Sequence, residues 1–244
     1  MKRFITTILF LLIPSILLAQ VPDALSLDLQ NLVKPENFSR SINVLLTFAS
    51  LGLIPFVLVS TTSFLRIIIV FSLMRTALGT GQSPPNTVII SLAIFMTVFI
   101  MTPTWNDINT QALKPYYAGQ ISQKEAMTQA VTPITQFMLK LTREKDLELF
   151  IQFSHLDNVT NINNVPIWVI IPAFLISELK SAFQIGFLLF IPFVVVDLIV
   201  SNILLALGMF MLSPALVSLP FKILLFVLAD GWNLLTRGLL LSFQ

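Results

Sequence analysis

Apolar and polar positions are arranged in long blocks along this chain. Beyond an apolar run near the first residue, the sequence contains four apolar blocks separated by polar segments. Apolar stretches of this length are typical of helices that contact lipid or lie inside a large apolar assembly. The pattern therefore predicts an all-α, membrane-associated fold. The four blocks span residues 42–60, 88–102, 165–212 and 221–243.

The first residues have the pattern of a secretory signal peptide. Lys2 and Arg3 form a basic start, residues 5–18 are apolar, and Ala19 is a small residue at the expected cut. The apolar run would make about 21 Å of helix, short for a hydrocarbon core of about 30 Å. An uncleaved first membrane helix is the alternative. We expect a cleaved signal peptide at 1–19 and a polar leader at 20–40.

The polar segment 104–164 is expected to form a helical insert between the second and third blocks. Ser122 and Glu125 have the spacing of a capping box. Pro133 is expected to bend the helix that follows. The charged run 143–148 is interpreted as a solvated surface, and His155 as an exposed histidine. Apolar positions at helical spacing are Met127, Ala130, Val131, Ile134, Phe137, Met138 and Leu141.

The basic residues predict an orientation for the apolar blocks. A cleaved signal peptide leaves the new amino terminus outside, so Arg66 and Arg75, the charges between the first two blocks, become cytoplasmic. The insert then returns to the outside, and Lys222 lies on the cytoplasmic side. We divide the chain after its leader into a first hairpin region, the insert and a second hairpin region. These regions span 41–103, 104–164 and 165–244.

The apolar blocks have unsuitable lengths for simple membrane spans. As helices, residues 88–102 would measure about 22 Å and residues 181–212 about 48 Å, against a core of about 30 Å. Prolines and glycines recur within the blocks, where they break or bend helices, and we expect kinked helical hairpins around a cavity. These residues are Pro55, Pro172, Gly186, Pro192, Gly208, Pro214 and Pro220.

Six charged residues lie in or beside the later apolar blocks. An unpaired charge at the bilayer centre costs about 2.5–3.5 kcal/mol, so Asp197, which is apolar on both flanks, is expected to be buried with a partner. Lys222 could pair with Asp197 or with Glu178, within one chain or as a contact between subunits. Interfacial snorkelling is the alternative, which suits Lys180 and Arg237 but not Asp197. The six are Glu178, Lys180, Asp197, Lys222, Asp230 and Arg237.

Composition excludes several classes of function. The chain is 56% hydrophobic and only 11% charged, against about 25% charged in soluble domains, and its mean hydropathy is +0.89. It has no cysteine and one histidine, which excludes thiolate and His-paired metal sites. Hydrolase motifs are absent, and an aspartyl mechanism at Asp197 and Asp230 has no further support. We expect no enzyme activity, no cofactor and, given sparse charges, no nucleic-acid partner.

Two long segments resemble the signatures of a known family. Residues 172–187 read PAFLISELKSAFQIGF, and residues 220–232 read PFKILLFVLADGW. Together with shorter matches in the same order, they are similar to the FliP family of flagellar type III export-gate proteins. The resemblance covers about 40–244. The shorter matches are 63–68, 82–86 and 208–214.

The resemblance implies a core component of the flagellar protein export gate in the bacterial inner membrane. FliP-like proteins form rings of five copies. With one FliR-like and four FliQ-like subunits they build a closed helical gate in the flagellar basal body. Unfolded flagellar proteins pass through it, driven by the proton-motive force and an ATPase that other subunits supply. A gate of this kind accounts for short, kinked and charged apolar blocks better than a lipid-embedded monomer does.

The resemblance also implies a role for Met209, Phe210 and Met211. Methionines at this position of the family narrow the pore into a gasket, since a flexible thioether side chain can seal around varied passing chains. Phe210 departs from the all-methionine form, so the implied role is better founded for Met209 and Met211. The alternative is ordinary packing within a kinked helix.

Two other functions stay open at this point. An injectisome homologue would export virulence effectors, but such relatives usually lack a cleaved signal peptide. A small-solute transporter subunit would suit intramembrane charges and broken helices, but the chain shows no internal repeat. The number of copies in the native assembly separates a gate from a transporter.

Overall fold

The computed structural model describes residues 38–154 and 165–243, and within them the predicted all-α class is confirmed. The expected signal peptide, leader residues 20–37 and His155 lie outside the described residues. The chain divides into two compact units, Met1–Ile54 and Pro55–Gln244, and the packing given below lies within the second. The helices are α1 (Phe38–Thr61), α2 (Phe64–Leu78), α3 (Asn86–Ile108), α4 (Lys114–Tyr117), α5 (Gln123–Leu141), α6 (Glu144–Phe153), α7 (Ile167–Ala206), α8 (Pro214–Leu228) and α9 (Gly231–Leu241).

Helix α3 is longer than the second apolar block. It continues through Pro103 to Ile108 and passes by a π-helical turn, Asn109–Leu113, into α4. The second block, predicted over 88–102, therefore ends too early, because Pro103 does not stop the helix as a proline after an apolar block is expected to do. Thr104, Ile108 and Ala112 are buried at four-residue spacing, and this stretch packs against α5, so tertiary packing offsets the hydrogen bond that proline removes.

Helix α7 is a single element of 40 residues that contains Pro172 and Pro192. At 1.5 Å per residue it is about 60 Å long. The sequence suggests separate pieces here, but the prolines do not interrupt the helix. Gly186 permits a close approach to α2, because a Cβ atom there would lie 2.2 Å from the Leu73 side chain. Contact with α2 and α6 therefore keeps the helix continuous.

Two apolar cores meet at α7. The first joins α2, α3, α7 and α9 and includes Phe71 and Met74. The second joins α5 and α6 to the beginning of α7 around Met138, Leu147 and Phe174. The helices of the insert are therefore held against the first half of α7, whereas large apolar side chains on its second half, such as Phe187 and Leu198, are exposed.

Helix α5 begins as its sequence predicts. The Ser122 hydroxyl accepts a hydrogen bond from the Glu125 N–H at 3.3 Å, and Pro133 lies within the helix without ending it. The predicted apolar face is only partly covered, because Met138 is buried but Met127 and Val131 are exposed.

Several described helices are long and apolar enough to cross a membrane. Among the described residues, two continuous stretches qualify, Asn86–Tyr117 and Ile167–Ala206. Two further pairs qualify if each bent pair counts as one span: Leu46–Thr61 with α2, and α8 with α9. The second of these pairs bends by 63°, which agrees with the kinked helical hairpins expected from the sequence.

Candidate functional site

The loop between α7 and α8 carries the three residues of the predicted gasket. Met209, Phe210 and Met211 lie side by side in it, with exposed fractions of 44%, 76% and 100%. None belongs to a helix, so packing within a kinked helix, the alternative drawn from the sequence, does not describe them. The loop presents three apolar side chains that contribute little to the core of their own chain.

Backbone geometry fixes the start of this loop. Gly208 has a φ of 73°, a left-handed conformation that glycine adopts without strain. The Met209 N–H then donates to the Leu204 carbonyl at 2.9 Å, which closes the end of α7. Pro214 begins α8 in the first turn, where a missing N–H costs nothing. The loop is thus held at both ends while its middle projects.

An ion pair joins α7 to α8 below the loop. Lys222 Nζ donates to Asp197 Oδ2 at 2.6 Å and to the Ala77 carbonyl, near the end of α2, at 3.4 Å. The Ser218 hydroxyl donates to the other Asp197 oxygen at 2.5 Å. The Lys222 side chain is 8% exposed, whereas that of Asp197 is 37% exposed. The structure thus brings two sequence-predicted residues together but covers Asp197 only in part.

Glu178 lies apart from Lys222 and binds Arg66. The Arg66 guanidinium donates through Nε to Glu178 Oε2 at 2.8 Å and through a second nitrogen to Oε1, the two-pronged geometry that strengthens such pairs. Both side chains are buried. Of the two candidate acids, Glu178 is therefore not the partner of Lys222 in this chain, because both its oxygens already accept from Arg66.

Arg66 also binds two residues near the end of the chain, Ser242 and Phe243. It donates to the Ser242 carbonyl at 2.9 Å and to the Ser242 hydroxyl at 3.0 Å, and its guanidinium carbon lies 4.0 Å from the centre of the Phe243 ring. The sequence predicts a cytoplasmic side for Arg66 and indicates no partner for it. The residue is 4% exposed, because Glu178, Ser242 and the Phe243 ring satisfy its charge inside the fold.

A second polar network connects the insert to α7. The Ser177 hydroxyl donates to Asp146 Oδ2 at 2.6 Å and accepts from the Arg143 N–H at 3.0 Å. The Arg143 guanidinium donates to Gln184 Oε1 at 2.6 Å. The interpretation of 143–148 as a solvated surface therefore fails for Arg143 and Asp146, although Glu144 and Glu148 are exposed.

Three further charges in or beside the later apolar blocks have no ion-pair partner among the described residues. They are Lys180, Asp230 and Arg237, and all three are exposed. Asp230 lies between α8 and α9 with a φ of 50°, in the left-handed region that few residues other than glycine, asparagine and aspartate adopt. Within the described residues, no group of three or more acids and histidines has the arrangement of a metal site.

Comparison with known proteins gives a consistent result. A sequence model of the FliP family matches residues 45–239. The flagellar biosynthetic protein FliP of Bacillus subtilis is 49% identical over 209 residues, which cover 86% of this chain and 95% of that protein. The protein of the same name from Pectobacterium carotovorum is 45% identical over 225 residues, covering 92% and 86%. That from Aquifex aeolicus is 48% identical over 210 residues, covering 85% and 88%. The chain belongs to the FliP family.

Proposed function

We propose that this chain is a core component of the flagellar type III protein export gate. The observation that carries the proposal is the exposed loop of Met209, Phe210 and Met211 at the end of a 40-residue helix. A catalytic role has no support, because the polar residues described for the site bind one another rather than point a nucleophile or base into a cavity. The flagellar names of the relatives favour this function over that of an injectisome homologue.

The loop is suited to act as a gasket in a pore. Its side chains are apolar and held on a backbone fixed at Gly208 and Pro214. Methionine adapts its shape at little cost, so several copies around an axis would close on one another and part around an unfolded chain. Phe210 adds apolar bulk between the two methionines.

A ring of copies would also cover exposed apolar surface. On α7, Phe187, Leu198 and Leu205 are more than half exposed, and the partly exposed Asp197 carboxylate lies beside them along the helix. We propose that five copies assemble with FliQ-like and FliR-like subunits and that Glu178, Asp197 and Lys222 support these contacts, Glu178 by fixing α7. The assembly lies in the bacterial inner membrane as a multi-pass component of the flagellar basal body, with the insert on the periplasmic side.

The native mass of the purified chain in mild detergent tests the assembly. We expect a five-copy species that takes up further subunits when the small partner proteins are co-expressed. A monomer or dimer that recruits nothing would contradict the export gate and favour a solute transporter.

Alanine at Met209 and Met211 tests the gasket. We expect the double variant to assemble normally and to make the membrane leaky to ions. Alanine lacks the long side chain of methionine, so the two substitutions widen the constriction. Alanine at Met127, which is 65% exposed on the insert, is the matched control. Unchanged conductance in the loop variant would contradict the gasket role.

A further inference from the structure

An apolar groove of about 270 Å³ lies between α7, α8 and α9. A Cβ atom at Gly238, on the α9 wall, would meet no neighbouring group within 4 Å, so the groove is open at this position. Helix α7 and the bent pair of α8 and α9 are both apolar enough to cross a membrane, which places the groove within reach of lipid chains. Its lining includes Ile185, Leu188 and Phe193 of α7, Phe226 of α8, and Leu234 and Gly238 of α9.

Helix α9 runs antiparallel to α7 along this groove. The Arg66 guanidinium binds Glu178 on α7 and Ser242 just after α9, so these two positions lie at the same end. At the other end, the centre of the Phe226 ring on α8 lies 6.5 Å from that of Phe193 on α7, and Phe226 also contacts the beginning of α9. The groove therefore has two different ends, one at the Arg66 pair and one at the bend between α8 and α9.

Two cations lie toward the end marked by the Arg66 pair. Lys180 is two positions after Glu178 on α7, and Arg237 is five positions before Ser242. Both are exposed, and neither forms an ion pair with another described residue. Lys180 lies on the same helix face as Leu188, and both residues line a surface depression that continues into the groove at Leu188.

The charge at this end of the groove is positive. Arg237 is on the same side of α9 as Leu234, one turn earlier, which lines the groove. Of the nearby acids, Glu178 already accepts hydrogen bonds from Arg66 through both oxygens, and Asp230 lies at the other end of α9. The two cations are therefore available to an anion from outside the chain.

An amphiphile with one anionic end matches this arrangement. Positive charge is confined to one end of the groove, and the rest of the wall is apolar. Basic residues beside pockets between membrane helices bind anionic lipid headgroups, and an apolar wall favours burial of an acyl chain. From Lys180 to Phe193, α7 rises about 20 Å, which is close to the length of lipid chain in one leaflet, half of a hydrocarbon core of about 30 Å.

We propose that this groove binds an anionic phospholipid. Its phosphate accepts hydrogen bonds from the Lys180 ammonium and the Arg237 guanidinium, and one acyl chain lies between α7 and α9 and points toward the bend that precedes α9. A single chain supplies the whole site, so lipid binding does not depend on the proposed ring of copies.

Quenching of tryptophan fluorescence by brominated lipid tests the site. The centre of the Trp232 ring lies 5.4 Å from that of Phe226, at the end of the groove assigned to the acyl chain. The chain has three tryptophans, and Trp105→Phe with Trp168→Phe leaves Trp232 as the reporter. The purified protein would be reconstituted in phosphatidylcholine and titrated with phosphatidylglycerol or phosphatidylcholine that carries bromine on its acyl chains. We expect phosphatidylglycerol to bind about tenfold more tightly, because it is anionic.

Single substitutions of the two cations test the headgroup contact. Lys180→Gln and Arg237→Gln should each lower the preference for phosphatidylglycerol by about fivefold, while helicity by circular dichroism stays unchanged because both residues are exposed. Lys124→Gln removes an exposed charge on the insert and is the matched control, with the preference retained. An unchanged preference in both cation variants would overturn the proposed headgroup contact.

A larger side chain at Gly238 tests the position of the acyl chain. Gly238→Leu fills open space without displacing a neighbour, so the protein should fold and quenching of Trp232 by brominated phosphatidylglycerol should fall by about half or more. Gly52→Leu, at another helical glycine with open space around it, should leave quenching unchanged. Unchanged quenching in Gly238→Leu would overturn the groove as the lipid site. Equal quenching of the original protein by the two lipids would overturn the proposal and favour a protein partner in the groove.

Discussion

Helix α7 carries two ion pairs that differ in how far the chain covers them. Glu178 is fully buried, and both its oxygens bind the equally buried Arg66. Asp197, 19 positions later, binds Lys222 but leaves 37% of its side chain exposed. The first pair lies beside the insert, and the second lies near the exposed loop.

The difference follows from what surrounds each half of α7. Both halves pack in the core that contains α2, but only the first half also packs against α5 and α6, and its buried residues recur every three or four positions from Val169 to Ala182. The second half has few buried residues, among them Phe193 and Val200. The Glu178 pair therefore acts on the stability of the folded chain, whereas in the proposed assembly the Asp197 pair would act on association as well.

Glu178→Ala should have the largest effect on folding. It leaves the Arg66 guanidinium buried without its carboxylate, and breaking a buried pair from one side costs about 3–5 kcal/mol in the free energy of unfolding. Denaturant unfolding in detergent measures this loss. Glu144→Ala, at an exposed acid of the insert, should stay within about 0.5 kcal/mol, and equal stability of the two variants would contradict a structural role for the pair.

Breaking the Asp197–Lys222 pair should cost less in the free energy of unfolding, and the two single substitutions should differ in their cost. Asp197→Ala leaves a buried ammonium group with only the Ala77 carbonyl and should cost about 1–3 kcal/mol, below the buried-pair range because water reaches the site. Lys222→Ala leaves a carboxylate that is hydrated and still bound by Ser218, so its cost should be lower. Unfolding midpoints compare the two variants.

Export is the second readout for these two variants. If the pair also supports the gate, both variants should block flagellar export or gate assembly. Swimming assays measure the resulting loss of motility. Normal motility in both variants would refute the functional role of the pair, whatever their unfolding midpoints show.

Ser177→Ala should have a modest effect on the join between the insert and α7. The change removes a donor to Asp146 and an acceptor for the Arg143 N–H, and such losses cost about 1–3 kcal/mol. Protease cleavage of the insert, compared with Ser201→Ala on the same helix, is the measurement. Equal cleavage rates would show that the second core alone holds the insert.

Phe210→Met should have the smallest effect. The side chain is 76% exposed, so the free energy of unfolding should change by no more than about 0.5 kcal/mol, and export should continue because an all-methionine loop seals in the same way. A strong loss of export would show that the aromatic ring itself is required.

Local patterns in the sequence predict local structure well. The helical class, the capping serine of α5 and the membrane-length apolar stretches all depend on neighbours within a few residues. Pro103, Pro172 and Pro192 mislead the interpretation, since the packing that carries α3 and α7 past them comes from distant helices.

Polar contacts between residues far apart in the chain are harder still to predict from the sequence. Arg66 and Glu178 are 112 positions apart, and no spacing rule connects them, so the sequence indicates no partner for Arg66. Asp197 and Lys222 are 25 positions apart across one hairpin, and they are among the candidate pairs because both interrupt apolar runs. The exposed loop stands out only through a family resemblance, since periodicity alone favours packing of Met209 and Met211.

The length of α7 has a mechanical consequence. A continuous helix of about 60 Å joins the insert, hydrogen-bonded at Ser177, to the exposed loop of Met209, Phe210 and Met211. From Ser177 to its last residue, Ala206, the helix measures about 44 Å, so a tilt of about 10° at Ser177 displaces the loop end by about 8 Å. In the proposed gate, a pull on the insert would therefore reach the constriction along one helix.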